Sequence, residues 1–575
     1  NIPGIEIQND ICVTGTSRIY NKKELFHKLN LRESSKSEIP DNLLFLKCFE
    51  KWQYNCPDHI LGEWVFVLWN NRKKELFIAS SHYWKPNLYY CNSNRVFYFS
   101  TSLKALLSLE PIPKEINEFR LGQLLIGWGN SLGNTLYKNI FPLKPAHTLK
   151  ITPETFEENR YWALEDTPPI RFKKDDEYVE NFLEIYTEAV RCRIAESKSA
   201  GATLSGGLDS GSVTSLAALE LRKQNKTLQA FSSIPIFDVS NIPVKNRFGD
   251  ESEYIRATAD YAGNVNVNFI KSENLSILQG IKKTINMMEE PVSGSNLNWI
   301  HSIMQSVLNY NIDTLMVGQT GNSTVSWKGK SESFIDWAAF IKNINEHGIT
   351  NLPYLIKNIK TYLAKPFIPS EIIKKKIRKT NPKINWDKYS SINNAFASTQ
   401  NFIERMQEAG QYDYSDNPRI NQLRTIKPIY GAGSSPLWME MGRNYNIWVT
   451  DPTADKRILE FCTSIPNDQF YRAGIEKYLF KRAMKGIMPE NVIHNPKRGL
   501  QSADAQQIIL KNDLPEIKNL LESFKKSEIC NHYLDLSKIE KAIPMLGQNS
   551  VDGFAISTKV LLKGIAFGLF LQRFE

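Results

Sequence analysis

The sequence predicts an α+β domain followed by a larger α/β domain with extra helices at its C-terminal end. The chain has 575 residues, more than one hydrophobic core usually serves, so two domains are expected. Residues 1–165 show strand patterns joined by turns, whereas residues 166–575 show strands alternating with helices. That alternation is typical of a parallel sheet with helices on both faces. Thr167-Pro168-Pro169 is the predicted linker.

Two β-hairpins are predicted in the first domain, which fits an α+β sandwich. The apolar run Leu61–Trp69 is followed by a turn at Asn70-Asn71 and a partner strand at Glu75–Ala79. The aromatic runs Leu88–Tyr90 and Val96–Phe99 predict a second hairpin. Helical patterns lie between the strands, at residues 23–29 and 43–52.

In the second domain, predicted strands and helices follow one another closely. Helices are predicted at residues 178–194, 211–222 and 250–261, and strands at 202–204, 228–232, 265–270 and 314–317. Asp250 is the predicted N-cap of the third helix, with Glu253 three residues later, as in a capping box. Residues 331–420 are predicted to be helical and polar, and helices dominate after residue 450.

The composition argues against several classes of protein. The net charge of +10 is spread over a long chain with acids mixed among the bases, which does not indicate a nucleic-acid partner. The seven cysteines and eight histidines show neither C-x-x-C nor H-E-x-x-H spacing, which argues against disulfides and zinc and for a reducing, cytoplasmic location. The apolar segment Gly553–Phe574 contains Lys559 and Lys563, which predicts a buried helix and not a membrane span.

The most specific motif follows a predicted strand and precedes a predicted helix: Leu204-Ser205-Gly206-Gly207-Leu208-Asp209-Ser210. Gly206 and Gly207 let backbone N–H groups approach an anion, and the N-terminus of the following helix favours negative charge. Ser205 and Ser210 add hydroxyl donors, and Asp209 offers a hard oxygen ligand for Mg²⁺. A glycine turn that only caps a helix is the structural alternative, but the whole S-G-G-x-D-S pattern favours a nucleotide site. The motif is not a Walker A loop, because G-x-x-x-x-G-K-S/T is absent.

The loop resembles that of the PP-loop ATP pyrophosphatases, which cleave ATP between its α and β phosphates. The resemblance implies ATP and Mg²⁺ as cofactors and adenylation of a carboxylate as the chemistry. Outside residues 331–420, the chain resembles asparagine synthetases in a series of short segments: 18–21, 61–69, 86–90, 99–106, 160–162, 451–452, 455–457, 477–484, 488–489 and 494–499. This likeness implies an Ntn-type, glutamine amidotransferase-like domain at 1–165 and an ATP-binding synthetase domain at 166–575.

The resemblance also assigns residues to the site. Leu204 and Ser232, each at the end of a predicted strand, are assigned to the nucleotide together with the S-G-G-x-D-S loop. Where relatives carry Gly-x-Gly-Gly-Asp, this chain has a segment ending in an amide, residues 318–322; its Gly318 and Gln319 are also assigned to the nucleotide.

Two metal ligands and two catalytic cations are implied in the same way. Asn322 can join Asp209 at Mg²⁺ through its carbonyl oxygen, and a further carboxylate such as Glu290 is the alternative source of charge. Lys497, in a segment similar to the family's Pro-Lys-x-Gly loop, is the candidate cation for charge that develops on pyrophosphate and the tetrahedral centre. Lys477 resembles a second lysine that contacts phosphate.

The first domain departs from a working glutaminase of this family. Such an enzyme uses an N-terminal cysteine as nucleophile, but residue 1 is Asn, and Cys12 lies in a predicted strand. The printed sequence leaves open whether residues precede Asn1. The family's oxyanion Asn-Gly pair falls on Thr16-Ser17, and its Arg-Asp pair on Ser80-Ser81. We therefore expect a domain that does not hydrolyse glutamine and serves as a scaffold.

Without ammonia from glutamine, the attacking amine must have another source. β-Lactam synthetases resemble one another in a Tyr-Glu dyad, whose positions fall here on Gln319 and Trp448. An α-amine needs less activation, because its pKa of about 8 leaves a neutral fraction. The first hypothesis is therefore a macrolactam synthetase acting on a peptide, as in lasso-peptide maturation, with a leader-binding protein and a protease as partners.

Three alternatives remain open. The second hypothesis is an asparagine synthetase-like or β-lactam synthetase-like ligase of small molecules. The third is a tRNA-modifying PP-loop enzyme, although such enzymes lack this N-terminal domain. The fourth is a non-catalytic binding protein, which Asn322 leaves possible.

Overall fold

The structure is a computed structural model that describes most of the chain. The described ranges are 4–31, 39–84, 86–128, 133–240, 247–292, 294–329, 387–408, 417–426, 434–548 and 550–575, with scattered residues between 337 and 372. The prediction of a helical region at 331–420 lies largely outside them. Its described helices are Asn394–Thr399, Phe402–Glu408 and Pro418–Ile426, and a π-helical turn lies at Ile359–Ala364.

The first domain contains a six-stranded antiparallel sheet in the order β1-β2-β3-β4-β8-β9 and a three-stranded antiparallel sheet in the order β6-β5-β7. The strands are β1 Glu6–Gln8, β2 Ile11–Ile19, β3 Gly62–Asn70, β4 Glu75–Ser80, β5 Tyr89–Ser93, β6 Val96–Ser100, β7 Phe141–Pro142, β8 His147–Ile151 and β9 Phe156–Arg160. Both predicted hairpins are present, as β3–β4 and β5–β6. The helices are α1 Lys22–Lys28, α2 Asp41–Trp52, α3 Leu103–Leu107 and α4 Glu118–Leu125.

Strand β3 shows why this sheet has one core on each face. Its side chains alternate, so Trp64, Phe66 and Leu68 pack in the cluster that includes helix α2. Val65 and Val67 point the other way, into a cluster with residues of the three-stranded sheet. The nearly continuous apolar run Leu61–Trp69 is therefore a strand that is buried on both faces.

The second domain is built on a five-stranded parallel sheet in the order β13-β11-β10-β14-β15. These strands are β10 Ala200–Thr203, β11 Leu228–Ser233, β13 Val265–Ile270, β14 Thr314–Met316 and β15 Trp448–Thr450. Two-residue strands pair elsewhere: β12 Arg247–Phe248 with β18 Arg498–Gly499, and β16 Tyr471–Arg472 with β17 Ile475–Glu476. The parallel sheet that the alternation of strands and helices predicts is thus present in the structure.

Helices cover both faces of the parallel sheet, as neighbouring side chains of one strand show. Leu315 belongs to the core that contains helix α9 (Leu297–Asn309), whereas Met316 belongs to the core that contains helices α5 (Asp175–Ala195) and α6 (Leu208–Arg222). The helices up to residue 309 are α5 Asp175–Ala195, α6 Leu208–Arg222, α7 Ser252–Ala262, α8 Ile277–Met288 and α9 Leu297–Asn309. The later ones are Ser434–Asn444, Lys456–Ser464, Tyr478–Ala483, Glu490–Ile493, Ala505–Ile508, Leu514–Lys526, Glu528–Tyr533, Leu536–Ala542, Val551–Ile556 and Lys563–Leu571.

Helix α7 begins two residues later than predicted. Asp250 does not cap it as the N-cap residue; its carboxylate instead accepts the Ser252 N–H at 2.9 Å and the Ser252 hydroxyl at 2.6 Å. Glu251 is the N-cap residue, without a side-chain capping bond. The two antiparallel sheets lie before residue 165 and the parallel sheet lies after it, and the exact domain bounds stay a prediction.

Among the described residues, one helical stretch, Gly553–Phe574, is long and apolar enough to cross a membrane by length and composition. Of its most apolar window, 61% is buried inside the protein. Lys563 Nζ donates to the carbonyl oxygens of Leu124 at 3.0 Å and Leu125 at 3.3 Å, and burial lowers the pKa of this lysine to about 8. The stretch therefore packs onto the C-terminal end of α4.

A buried ionic cluster joins the two domains. Arg193, at the end of α5, is 2% exposed and contacts Glu63 of β3 at 3.1 Å and Asp455 at 2.8 Å. Its Nε also donates to the hydroxyl of Thr450 at 2.6 Å, and that hydroxyl donates to Glu63. Although burial opposes ionisation, Arg457 and Arg193 hold the pKa of Asp455 below its ordinary value. The cluster thus fixes the end of β15, which borders the candidate site.

Candidate active site

The site lies where the order of the parallel sheet reverses. The chain runs from β10 outward through β11 to β13, and then returns to the other side of β10 as β14 and β15. Ligands of open α/β sheets bind in the crevice at the carboxyl ends of strands at such a point. Here the S-G-G-x-D-S loop follows β10 and residues 318–322 follow β14, so the two predicted segments are neighbours.

Ser205 and Ser210 hold the phosphate loop in shape. The Ser205 N–H donates to Ser210 Oγ at 3.0 Å, the two hydroxyl oxygens lie 2.8 Å apart, and the Gly207 N–H donates to Ser205 Oγ at 3.2 Å. Gly207 is the N-cap residue of α6, a helix of 15 residues, so the positive end of the helix faces the loop. The hydroxyls that we predicted as phosphate donors therefore also order the loop.

The segment after β14 packs directly against Asp209. A Cβ on Gly318 would lie 2.9 Å from the Asp209 carbonyl carbon, and one on Gly321 would lie 2.4 Å from its carboxylate carbon. Both positions therefore need glycine. Asp451 supports this segment, because its carboxylate accepts the Thr320 N–H at 2.8 Å, and burial raises the pKa of Asp451 to about 6.

Asp209 has the surroundings of a ligand-binding carboxylate. Its Oδ1 is enclosed and has no hydrogen-bond partner among the described residues. Burial raises the pKa of Asp209, while the nearby Ser326 hydroxyl, Lys477 and Arg498 oppose that shift. Burial likewise lowers the pKa of Lys477, against the attraction of Asp209. An enclosed carboxylate oxygen without a partner is a position that a cation can complete.

Lys477 and Lys497 reach the cavity from different segments. Lys477 precedes the helix Tyr478–Ala483 and has a left-handed backbone, with φ of 58°. A non-glycine residue in that conformation is a strained feature of the kind that clusters at functional sites. Lys497 is exposed, and its backbone N–H donates to the Asn495 side chain at 2.9 Å.

One cavity of about 530 Å³ contains every residue that the sequence assigned to the site. They are Leu204, Ser205, Gly206, Gly207, Asp209, Ser210, Ser232, Gly318, Gln319, Asn322, Lys477 and Lys497. The structure thus brings together five segments that are up to nearly 300 residues apart in sequence. The roles assigned to these residues stay predictions.

Sequence reasoning missed several residues of the same cavity. Glu251, Arg247 and Arg498 contribute charge, and Trp299 and Trp438 contribute aromatic surface. The Trp299 indole N–H donates to Ser502 Oγ at 3.1 Å, which fixes that side chain. Arg498 is the variable position of the Pro-Lys-x-Gly loop, and no motif marks the other four; the pairing of β12 with β18 brings Arg247 and Arg498 together only in the folded protein.

Glu290 does not supply the missing carboxylate. Its Oε1 accepts the Leu136 N–H at 2.6 Å, and the side chain is not among those that line the cavity. Burial raises the pKa of Glu290, opposed by Arg120. This alternative was wrong because Glu290 follows helix α8, where it bonds to a loop of the first domain.

In the first domain, the positions that differ from a glutaminase make structural contacts. Ser17, in strand β2, donates from its Oγ to the Asp41 carboxylate at 3.0 Å. Ser80 Oγ donates to the Lys144 carbonyl oxygen at 2.7 Å. Ser81 Oγ accepts the Trp64 N–H at 3.2 Å. Cys12 lies within β2, as predicted.

The comparisons with known proteins agree with this two-part organisation. A glutamine amidotransferase domain model matches residues 3–162, and an asparagine synthase model matches residues 181–326 and 447–554. The chain is thus similar to glutamine amidotransferases in its first part and to asparagine synthases in its second. The relationship covers both the domain of the antiparallel sheets and the domain of the cavity.

Two curated relatives illustrate the extent of this similarity. Asparagine synthetase [glutamine-hydrolyzing] 3 of Bacillus subtilis (strain 168) is 22% identical over 486 residues, which is 83% of this chain and 73% of the relative. Putative asparagine synthetase [glutamine-hydrolyzing] 2 of Methanocaldococcus jannaschii is 28% identical over 263 residues, 44% of this chain and 46% of the relative. A solved structure of the allosteric regulatory enzyme of purine biosynthesis is 11% identical to this chain. The match covers 46% of this chain and 62% of the chain in that structure, with a TM-score of 0.20.

Proposed function

We propose that this protein is an ATP-dependent amide ligase that adenylates a carboxylate and closes a macrolactam ring in a peptide. The observation that carries the amide-ligase part is the single cavity that contains all twelve predicted site residues. The asparagine synthase match over the same segments supports it. A soluble, cytoplasmic enzyme fits this chemistry.

In the first step, a substrate carboxylate oxygen attacks the α-phosphorus of ATP and pyrophosphate leaves. The loop at Ser205–Ser210 and the N-terminus of α6 would bind the phosphates, while Lys477 would neutralise charge on the leaving group. In the second step, the amine nitrogen attacks the acyl carbon, AMP leaves with the bonding pair, and the nitrogen loses a proton. Lys497 would stabilise the negative charge of the tetrahedral centre.

The residues at Asp209 fit a magnesium ion. Asp209 Oδ1 is without a partner among the described residues, and Asn322 lines the same cavity. The described residues contain no group of three or more His, Cys, Asp or Glu side chains suited to a metal, so phosphate and water oxygens would complete the ligand set. When bound, Mg²⁺ neutralises phosphate charge.

The macrolactam part rests on the first domain. Ser17, Ser80 and Ser81 are engaged in structural hydrogen bonds at positions where a glutaminase carries its functional groups. If glutamine supplies no ammonia, an amine of the substrate itself is the simplest nucleophile. The proposal predicts a peptide substrate, with a leader-binding protein and a protease in the same pathway.

A second candidate is an asparagine synthetase-like ligase of small molecules. It is favoured by the Bacillus relative, which is named as a glutamine-hydrolysing asparagine synthetase and aligns with 83% of this chain. Under this candidate, the protein would join aspartate to ammonia, whether free or released from glutamine.

Mass spectrometry of products and nucleotides distinguishes these candidates. The protein is incubated with ATP and Mg²⁺ and, in separate arms, with peptides that have a free N-terminus and an internal Asp or Glu, with aspartate plus ammonia, and with aspartate plus glutamine. AMP, pyrophosphate and a peptide lighter by one water support the macrolactam synthetase. AMP with asparagine supports the small-molecule ligase, and ADP in place of AMP would contradict adenylation in either form.

A further inference from the structure

Glu251 lies in the cavity wall between two loops whose backbones it contacts. It directly precedes helix α7, and the backbone N–H of Gly206 in the phosphate loop lies close enough to favour the ionised form of its carboxylate. A Cβ on Gly206 would lie 3.2 Å from the Cβ of Glu251, and a Cβ on Gly499 would lie 2.1 Å from Glu251 Oε1. Because both neighbours are glycines, no side chain separates the carboxylate from either backbone.

Further bonds tie the segment before Glu251 to the loop that contains Gly499. Arg247 Nη1 donates to the Gly499 carbonyl oxygen at 2.8 Å, and the Leu500 N–H donates to the Phe248 carbonyl oxygen at 2.9 Å. The parallel pairing of β12 with β18 is part of the same contact. Lys497 lies two residues before Gly499, so its position depends on how this loop is held.

We propose that Glu251 is a positioning residue that couples the phosphate loop to the loop carrying Lys497. Binding of phosphate groups at the loop would fix Gly206, and Glu251 would transmit that order to Gly499 and so to Lys497. The inference rests on the proposed function, because it takes ATP as the ligand of the phosphate loop. Under this inference, the exposed side chain of Lys497 has a fixed position only when nucleotide is bound.

The charge of Glu251 should set the strength of this coupling. Burial raises its pKa to about 7, Asp250 adds to the shift, and the Gly206 N–H and Arg247 oppose it. The other charged groups on the surrounding segments are Asp209 of the phosphate loop and Lys497 and Arg498 of the opposite loop. The ionised carboxylate is the stronger acceptor for backbone N–H groups, so coupling should weaken as the pH falls below about 7.

Limited proteolysis with trypsin tests the coupling directly, because Lys497 and Arg498 are exposed cleavage sites. Cleavage after these residues is followed by mass spectrometry with and without saturating MgATP, while nucleotide affinity is measured separately by calorimetry. Arg72, which is 83% exposed in a turn of the first domain, is the internal reference site. The variants are Glu251→Ala, Glu251→Gln and the matched control Glu253→Gln, a change of an exposed residue on the same helix.

We expect MgATP to slow cleavage after Lys497 and Arg498 by roughly tenfold in the wild type and in Glu253→Gln at about pH 8, with less protection at about pH 6. Glu251→Ala should lose most of this protection at saturating nucleotide. Glu251→Gln, which cannot ionise, should give weak protection that does not change with pH. If a thermal melt shows that Glu251→Ala is unfolded, the pH dependence of the wild type against that of Glu251→Gln decides the question.

The outcomes separate this inference from the proposed function. A wild type that binds MgATP, with Glu251 variants protected as well as Glu253→Gln, would overturn the coupling alone. A wild type that does not bind MgATP would overturn both. Protection that is equal at both pH values in the wild type and in Glu251→Gln would also count against Glu251.

Discussion

The positions at which relatives carry functional groups are bonded differently in the two domains. In the second domain, Asp209 Oδ1 has no hydrogen-bond partner among the described residues, and Lys497 in the same cavity is exposed. In the first domain, Ser17, Ser80 and Ser81 are all hydrogen-bonded to the domain's own groups. A site prepared for a ligand has unfilled bonding capacity, whereas a scaffold has used its own. At these positions, the contrast favours the second domain as the place of the proposed chemistry.

The largest expected effect is on Asp209. Asp209→Asn removes the negative charge beside Lys477 without changing the size of the side chain. Loss of one preorganised electrostatic group at a reacting centre typically costs about 10²–10³-fold in kcat. Turnover to AMP should fall by that factor, while the melting temperature stays level or rises because an enclosed charge is removed. The matched control is Asp260→Asn on the exposed face of α7, and equal turnover in the two variants would contradict the assignment.

The next effect concerns Lys497, in the same cavity but exposed. Lys497→Met keeps most of the side-chain length and removes the charge. We expect kcat for product formation to fall by about 10–100-fold with an unchanged melting temperature, because the charge acts on the transition state and not on the fold. Lys485→Met, also exposed and in the preceding segment, is the control. Unchanged turnover in Lys497→Met would remove this lysine from the mechanism.

The next prediction concerns the ionic contact between the two domains. Arg193→Met leaves Glu63 buried without its cation and Asp455 paired with Arg457 alone, and an unpaired buried charge typically costs about 3–5 kcal/mol. The free energy of unfolding from denaturant titration should fall by that amount. Arg72→Met, which removes an exposed pair with Asp10, should cost less than about 1 kcal/mol. Equal losses in the two variants would mean that the interface cluster does not join the domains.

A smaller effect follows from the pKa of Glu251. Burial raises this pKa from 4.5 to about 7, so the folded protein binds more protons than the unfolded chain in that interval. Stability therefore falls as the pH rises from about 4.5 to 7, and the ionised carboxylate remains unfavourable above it. Glu251→Gln should be more stable than the wild type by about 1–2 kcal/mol at about pH 8 and by little at about pH 5. A constant difference across this range, from urea titrations at each pH, would contradict the shift.

The sequence predicted those parts of the molecule whose structure is determined by residues close to one another in the chain. The loop between β10 and α6 was recognisable because strand, glycines and helix follow one another within about a dozen positions. Glu251 was not, because its partners Gly206 and Gly499 lie 45 residues before and 248 after it. Glu290 was misplaced for the same reason, since only the fold decides which strand ends share a crevice. The Arg193 cluster also depends on residues from both domains, which no local pattern indicates.

The smallest expected effect tests the first domain itself. Cys12 lies in β2 with its backbone paired to Trp69, a place where a side chain contributes to a strand and not to a site. Cys12→Ala should therefore leave turnover unchanged, and neither variant nor wild type should release glutamate from glutamine, as an enzyme-coupled assay would show. Steady glutamate release by the wild type would make the first domain a working glutaminase. The bonded serines would then need another explanation, and the small-molecule ligase would replace the macrolactam synthetase as the better proposal, because a supply of ammonia removes the need for an amine on the substrate.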